Sequence, residues 1–463
     1  MLRSRPLIIA WAMVVASCGD PSGPTGPPDT LAFEDRPNTI RQGDLTVLAI
    51  RAFDHDGLAI EPALLIRSIE PFGAGEFVAG GAFVGYQPGE ARLIATHGAL
   101  ADTLDVTIRE RGLSGTMSVV GRGFQGRAWN TDLWVHGNYA YTGTFSRGPD
   151  RGNDMLVWDV SDPAAPVQIA AVTVDASLTN DIKLRPDGKV AVITHEGSGD
   201  GLNGISLVNL QVAGDPVVIT RFVHGLEQGV HNAWFEGRYL YLAVNNQGGL
   251  HVLDVSNPVL PFPVAQFHAG TSFVHDVYVR DGLAFVSHWD AGLIILDVGN
   301  GIVGGSPTNP VEVSRLVIPG VKVHNAWYWS ARKYVLIGDE VRRPGLMHVI
   351  DVSDMRDPVL VAEFRTPNTS ATPHNFWVDQ ARDILWLAWY GDGLYAVDAT
   401  GPLAGRLDLQ GRTILQYRGW STTRRGCFDI ISRSACAWAP QLHNGLIYLS
   451  DVNNGLVILQ PDF

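Results

Sequence analysis

The chain has 463 residues, 46% of them hydrophobic, and a formal net charge of −13. That length supports two or three domains with a large core, and the composition is globular rather than disordered or fibrous. The charge is spread without long runs of one sign. No basic face is available to neutralise phosphates, which excludes a nucleic-acid-binding role.

The N-terminus reads as a targeting segment. "MLRSRPLIIAWAMVVASCGD" carries Arg3 and Arg5, an apolar stretch from Leu7 to Val15, and small residues before Cys18. The apolar run is too short to span a bilayer and has signal-peptide flanks. "VASC" resembles the lipobox of bacterial lipoproteins, in which the Cys becomes the lipid-bearing N-terminus; the alternative is an ordinary signal peptide with an incidental Cys. Residues 1–17 are therefore expected to be a lipoprotein signal peptide, and 18–30 the lipidated Cys18 with a Pro/Gly/Ser-rich tether, "GDPSGPTGPPDT". Gly19 rather than Asp follows Cys18. The resemblance thus implies export and a lipid anchor in the cell envelope, at the outer membrane. No other segment is expected to span a membrane.

Residues 31–111 contain short β-like runs, "LTVLAIRAF", "ARLIATHG" and "DTLDVTIRE", separated by Gly, Pro and Asp clusters. This pattern suits a small β-sandwich. "PGEARLIATHGALADTLDVTI" is similar to the last strands of bacterial Ig-like domains, which usually act as spacers or adhesion units.

From residue 113 to 463 the chain repeats. Successive units include "VHNAWFEGRYLYLAVNNQGGLHVLDVSNPVLPFPVAQF" and "VHNAWYWSARKYVLIGDEVRRPGLMHVIDVSDMRDPVLVAEF". Seven units align, each with four β segments, and the last stops after its third. Repeats of this length read as propeller blades, which bury their faces only by stacking around an axis. The expected fold is all-β: a seven-bladed propeller behind a small Ig-like β-sandwich. The missing fourth strand is expected at "LSGTMSVVG", Leu113–Gly121, so the two chain ends would pair and remove an exposed edge. In the word "D-V-S-x-P", Asp159, Asp254, Asp297 and Asp351 end third strands and are expected to bond backbone N–H groups two or three residues on. These words resemble the LVIVD-repeat family of bacterial surface propellers; "GLIILDV" and "GLHVLDVSNP" match well, whereas "ISLVNLQ" puts Asn209 where the Asp stands. The resemblance implies the fold and an envelope location, and no particular reaction.

Chemistry concentrates at the start of each first strand. His231, His275, His324 and His374 stand 44, 49 and 50 residues apart by subtraction, one per unit in four consecutive units. Units one and two put Thr131 and Asn180 there, and Trp438 falls near this column in unit seven. The histidine is thus not required by the repeat. Four imidazoles around one axis can hold a single transition metal such as Fe, Zn or Cu; otherwise they hydrogen-bond within and across blades. The next position, Asp132, Asp181, Asn232, Asp276, Asn325 and Asn375, is acid or amide in six units and reads as a turn cap. Strand direction returns the ends of second strands to the histidine face. His195, Glu196, His288, Asp290, Asp339, Glu340 and Asp392 are therefore expected as second-shell acceptors or a ligand-binding rim. Cys427 and Cys436, in "CFDIISRSAC", are expected to form a disulfide in an oxidising compartment.

No compact catalytic motif appears: no Ser elbow, no carboxylate pair, no phosphate loop ahead of a helix. Two functions fit. The first is a non-enzymatic envelope scaffold that binds or adheres to a protein or glycan. The second is a metal-dependent oxidoreductase or lyase with the four histidines as ligands.

Overall fold

The computed structural model describes residues 27–60, 65–124, 126–246, 249–270, 273–341, 343–420, 426–428 and 434–463. The expected signal peptide and Cys18 lie outside the described residues. Among the described residues no helix is long and apolar enough to cross a membrane. The described residues are all-β, with two short 3-10 turns among them.

The N-terminal strands form three small sheets over a core that includes Phe33, Phe83, Leu93 and Ile108. Its longest hairpin pairs Gly89–His97 with Leu100–Arg109.

Beyond it, among the described residues, seven sheets follow one another, each containing four antiparallel strands; in five of them the four strands are consecutive. The third unit is representative: Val230–Glu236, Tyr239–Val244, Gly249–Asp254 and Phe262–Phe267. Burial falls from the inside out. Every residue of the second strand Val190–His195 is buried, whereas the fourth strand Val217–Phe222 has no fully buried residue. The middle strands are faced by sheets on both sides, so they read as continuous apolar runs. Each fully buried Leu, Ile or Val there contributes roughly 1.5–3 kcal/mol. Hairpins join first to second strands through tight turns. Asp281–Gly282 and Asn444–Gly445 each hold two successive positive φ values, which suits a type I′ turn and its strand twist.

Asp254, Asp351 and Asp159 accept the backbone N–H of Ser256, Ser353 and Ser161 at 2.8–2.9 Å. Asp297 accepts Gly299, Asn300 and Gly301 on one oxygen and Val303 and Gly304 on the other. The expected local bonds are therefore present. So is the pairing of chain ends: Thr116–Gly123 runs antiparallel to Gly455–Asp462 and completes the seventh sheet. The first strand of each unit touches the first strand of the next, and that of the seventh touches that of the first. These strands surround a central space.

The N-terminal sheets are bolted to the sixth unit. Arg111, fully buried, donates to Asp398 Oδ2 at 2.5 Å, to Asp44 Oδ1 at 2.8 Å and to Thr400 Oγ1 at 2.9 Å. Arg412, also buried, donates to the Gly43 carbonyl at 2.6 Å and to Gln410 Oε1 at 2.6 Å. Burial, and then the neighbouring Arg111, push the Arg412 guanidinium down to about 10. Removing one partner from such a set leaves a buried charge uncompensated. Arg111→Ala is expected to destabilise the protein by roughly 3–5 kcal/mol, read as a lowered denaturation midpoint; an unchanged midpoint would remove the bolt.

Candidate functional site: a histidine cup in the central space

Among the described residues, five of the seven first strands enter their sheets through an irregularity. Pairing skips from Val230 to Asn232, from Val274 to Asp276, from Val323 to Ala326 and from Ala437 to Ala439. The residue skipped is His231, His275, Trp438 or, with Asn325, His324. A bulge places one extra residue and bends the strand. Two successive side chains then face the centre instead of alternating. His374 sits just before its strand, where its N–H reaches the Ala388 carbonyl at 2.9 Å.

The four imidazoles lie ring against ring. Centroids are 4.2 Å apart for His231–His275, 4.2 Å for His275–His324 and 4.3 Å for His324–His374. Trp438 closes the row, 4.1 Å from His374. Two outer groups fix ring orientation. His231 Nδ1 meets Glu196 Oε1 at 2.7 Å, and Asn245 holds the other Glu196 oxygen at 2.7 Å. His374 Nδ1 donates to the Trp438 carbonyl at 2.8 Å, because a carbonyl only accepts. In both, the outer partner takes Nδ1 and leaves Nε2 outside that bond, the kind of outer contact that orients metal-ligating histidines. His275 Nε2 and His324 Nε2 lie 3.9 and 3.7 Å from Glu340 Oε2. Ligating atoms of His275, His324 and Glu340 all fall within 4.8 Å of one another. Nδ1 of His275 and of His324 makes no hydrogen bond among the described residues, a cost unless something else engages the ring.

Electrostatics follow burial. Desolvation, and then the neighbouring imidazoles, hold His275 and His324 well below the ordinary value. Burial also lowers His374. At His231 burial acts downward, but the Glu196 carboxylate outweighs it and the pKa rises. Neutral imidazoles are the form that binds metal.

Of the expected rim residues, Glu196 and Glu340 join the cup. The others do not join it: neither ring nitrogen of His195 has a hydrogen-bond partner among the described residues, and the remaining four are engaged elsewhere. His195 is fully buried and pushed down to about 4 by desolvation, then by Arg221. His288 Nδ1 accepts the Ala291 N–H at 3.0 Å, and Asp290 pairs with Lys322. Asp339 accepts the Val341 N–H at 3.2 Å, and Asp392 accepts the Tyr395 phenol at 2.8 Å.

The acid and amide column is not a set of turn caps. Asp132, Asn232, Asp276, Asn325 and Asn375 line an axial void of about 50 Å³ beneath the imidazoles. Their bonds cross between sheets: Asn180 Nδ2 to Asn232 Oδ1 at 2.9 Å, and Ala233 N–H to Asp181 Oδ2 at 2.8 Å. Where the bulge occurs, it turns both members of the pair inward and converts a local motif into part of a second polar layer.

A third layer is aromatic. Trp134, Trp234, Tyr278, Trp327 and Trp377 stand three residues after the histidine column. Their neighbouring centroids are 5.9, 4.5, 4.9 and 4.8 Å apart, and Trp377 returns to Trp134 at 6.5 Å. Rings at those spacings are in contact, so this end of the central space is packed shut. Lys183 occupies the same column in unit two, 5.5 Å from the Trp134 ring and paired with Asp132 and Asp181. The signal was present as the aromatic in "VHNAW", "VHDVY" and "HNFW", but its meaning required the closed contact.

The opposite end is open. A cavity of about 980 Å³ is lined by Trp289, Glu340, Arg343, Tyr390 and Phe428, among others. Trp289 stacks on His275 at 5.1 Å. The Cys427–Cys436 disulfide is formed and Cys427 borders this cavity.

Three segments, 125–174, 230–266 and 273–317, match the LVIVD repeat. The chain is a propeller repeat protein. Among solved structures, it is similar to the β-propeller domain of Cps50 (Swd1) from Myceliophteria thermophila, at 10% identity and a TM-score of 0.52, covering 74% of this chain and 99% of that one. The computationally designed Ika8 protein is similar at 10% identity and a TM-score of 0.48, covering 73% of this chain and 98% of that one. No curated protein matches this chain. The likeness is one of fold.

In metal-free protein, His231 is a base whose folded pKa lies above its unfolded value. Its pairing with Glu196 therefore stabilises the fold fully below the unfolded histidine pKa of about 6.5. That contribution is lost as pH rises through the folded value. Glu196→Gln is expected to lower the His231 pKa, read by NMR titration, and to flatten stability across this window. An unmoved His231 resonance would separate the two residues.

Proposed function

We propose that this chain is an exported, lipid-anchored envelope protein whose seven sheets are the blades of one closed ring, mounted on a small Ig-like module. Its central cup binds one transition metal ion. His231, His275, His324 and His374 supply imidazole nitrogens, with Glu340 as a carboxylate ligand and Glu196 as the orienting partner of His231. One observation carries this reading: four imidazoles, three of them buried, each in contact with the next, beside a carboxylate oxygen 3.7 and 3.9 Å from two of them. Nitrogen-rich donors with one carboxylate favour Fe, Zn or Cu over hard cations such as Ca or Mg. When bound, such an ion supplies Lewis-acid or redox chemistry, the basis for an oxidoreductase or lyase. The protein's own part is to hold inward nitrogens, to shut the channel with the aromatic layer, and to admit ligand from one side.

The scaffold reading keeps the same architecture and treats the histidines as packing beneath a surface that binds a protein or glycan. Metal content separates the two. The native protein is expected to carry about one equivalent of Fe, Zn or Cu by elemental analysis, by the one-site argument above. His275→Ala/His324→Ala should carry almost none while keeping its far-UV circular dichroism; equal content in both would sink the site. For the anchor, Cys18→Ser is expected to move the protein from the membrane to the soluble periplasmic fraction. Unchanged membrane association would remove the lipid.

A further inference from the structure

The two oxygens of Glu340 have different partners. Oε2 is the one nearest His275 and His324. Oε1 accepts the Tyr390 phenol at 2.5 Å. Tyr390 is held firmly: its ring packs 4.7 Å from His374, its carbonyl accepts the Ala437 N–H at 2.9 Å, and its φ is +37°. A non-glycine residue in that left-handed region persists only where its surroundings impose it. A carboxylate oxygen held by a short phenol bond is the poorer donor to an ion, so the geometry favours ligation through the other oxygen. An ion in the cup would then keep a coordination position on the side of Glu340, facing the cavity.

That cavity has the size of a small-molecule site. Trp289 and Phe428 give it aromatic walls. Among its described lining residues Glu340 and Arg343 are the charged ones, and Glu340 is engaged below. Arg343 Nη1 donates to the Ser370 carbonyl at 2.6 Å. A guanidinium carries five N–H donors, so this bond anchors the group without exhausting it. Guanidinium forks match carboxylates in geometry as well as charge.

We propose that the cavity binds a small aromatic carboxylate, whose carboxylate takes the coordination position that Tyr390 keeps open, with Arg343 drawing in the anion. This rests on the metal reading above. Tyr390 acts here as a positioning residue, through Glu340.

The test is a titration of Co2+-loaded full-length protein with benzoate, using neutral benzamide as the control. The visible d–d spectrum of the ion is followed. Benzoate is expected to shift the spectrum and benzamide to leave it unchanged. Arg343→Gln should weaken benzoate binding by roughly tenfold, the worth of one charge-assisted contact, with Co2+ stoichiometry unchanged. Tyr390→Phe should still take up Co2+ yet lose the benzoate-induced shift, because Glu340 is then free to ligate with both oxygens. A Co2+ spectrum indifferent to benzoate, an equal response to benzamide, or wild-type behaviour in both variants would overturn the proposal. Failure of the native protein to take up Co2+ would overturn the metal reading and this inference with it.

Discussion

The structure depends on how seven first strands fill the space they surround. A regular strand alternates its side chains and would offer that space every second residue. The bulge at the entrance to the first strand changes this. It turns two successive side chains inward before alternation resumes, so each affected strand contributes three inward groups within four residues. Layers follow: imidazoles, then acids and amides, then aromatic rings. Each layer is filled by side chains from several units, and none exists within one unit.

The layers differ in what they do for the protein. The aromatic layer buries large apolar rings and shuts one end, with Lys183 held in the same column by two aspartates. The acid and amide layer ties neighbouring sheets through Asn180, Asn232 and Asp181. The imidazole layer is confined to four consecutive units. Histidine stands in units three to six, while Thr131, Asn180 and Trp438 stand in the others. Its orientation is set from outside, by Glu196 at one end of the row and by the Trp438 carbonyl at the other. Between them, His275 and His324 are buried and face Glu340. A fold that needed only packing there had Thr, Asn and Trp available, and uses them elsewhere in the same column.

The N-terminal module is more than a passive spacer mechanically. Two buried arginines, Arg111 and Arg412, reach across its contact with the sixth unit and satisfy carbonyls and carboxylates on both sides. Buried ion pairs add little net stability over an apolar contact, but they are unforgiving of partial loss. This makes the orientation of module and sheets specific.

Much of the molecule was legible in the sequence. Repeated words marked seven units, the alternation of apolar runs and turns marked four strands in each, and the seventh unit's missing strand pointed to the segment at Leu113. These follow from local rules, since turn chemistry and apolar periodicity act within one unit. The histidine column was legible as well, because it departs from the repeat. Which of its neighbours serve it was not. Glu196 and Glu340 approach the imidazoles, while His288, Asp290, Asp339 and Asp392 occupy comparable strand ends and turn to other partners, and His195 is buried away from the row. Nor was the inward turn of the acid and amide column legible, nor the closed aromatic layer. Strand pairing decides where a bulge falls, and a bulge reverses which way a side chain points. The sequence by itself determined the repeat and the residue types on offer at each position. Only the tertiary structure decided which of them meet, because every layer is built across sheets that are distant along the chain.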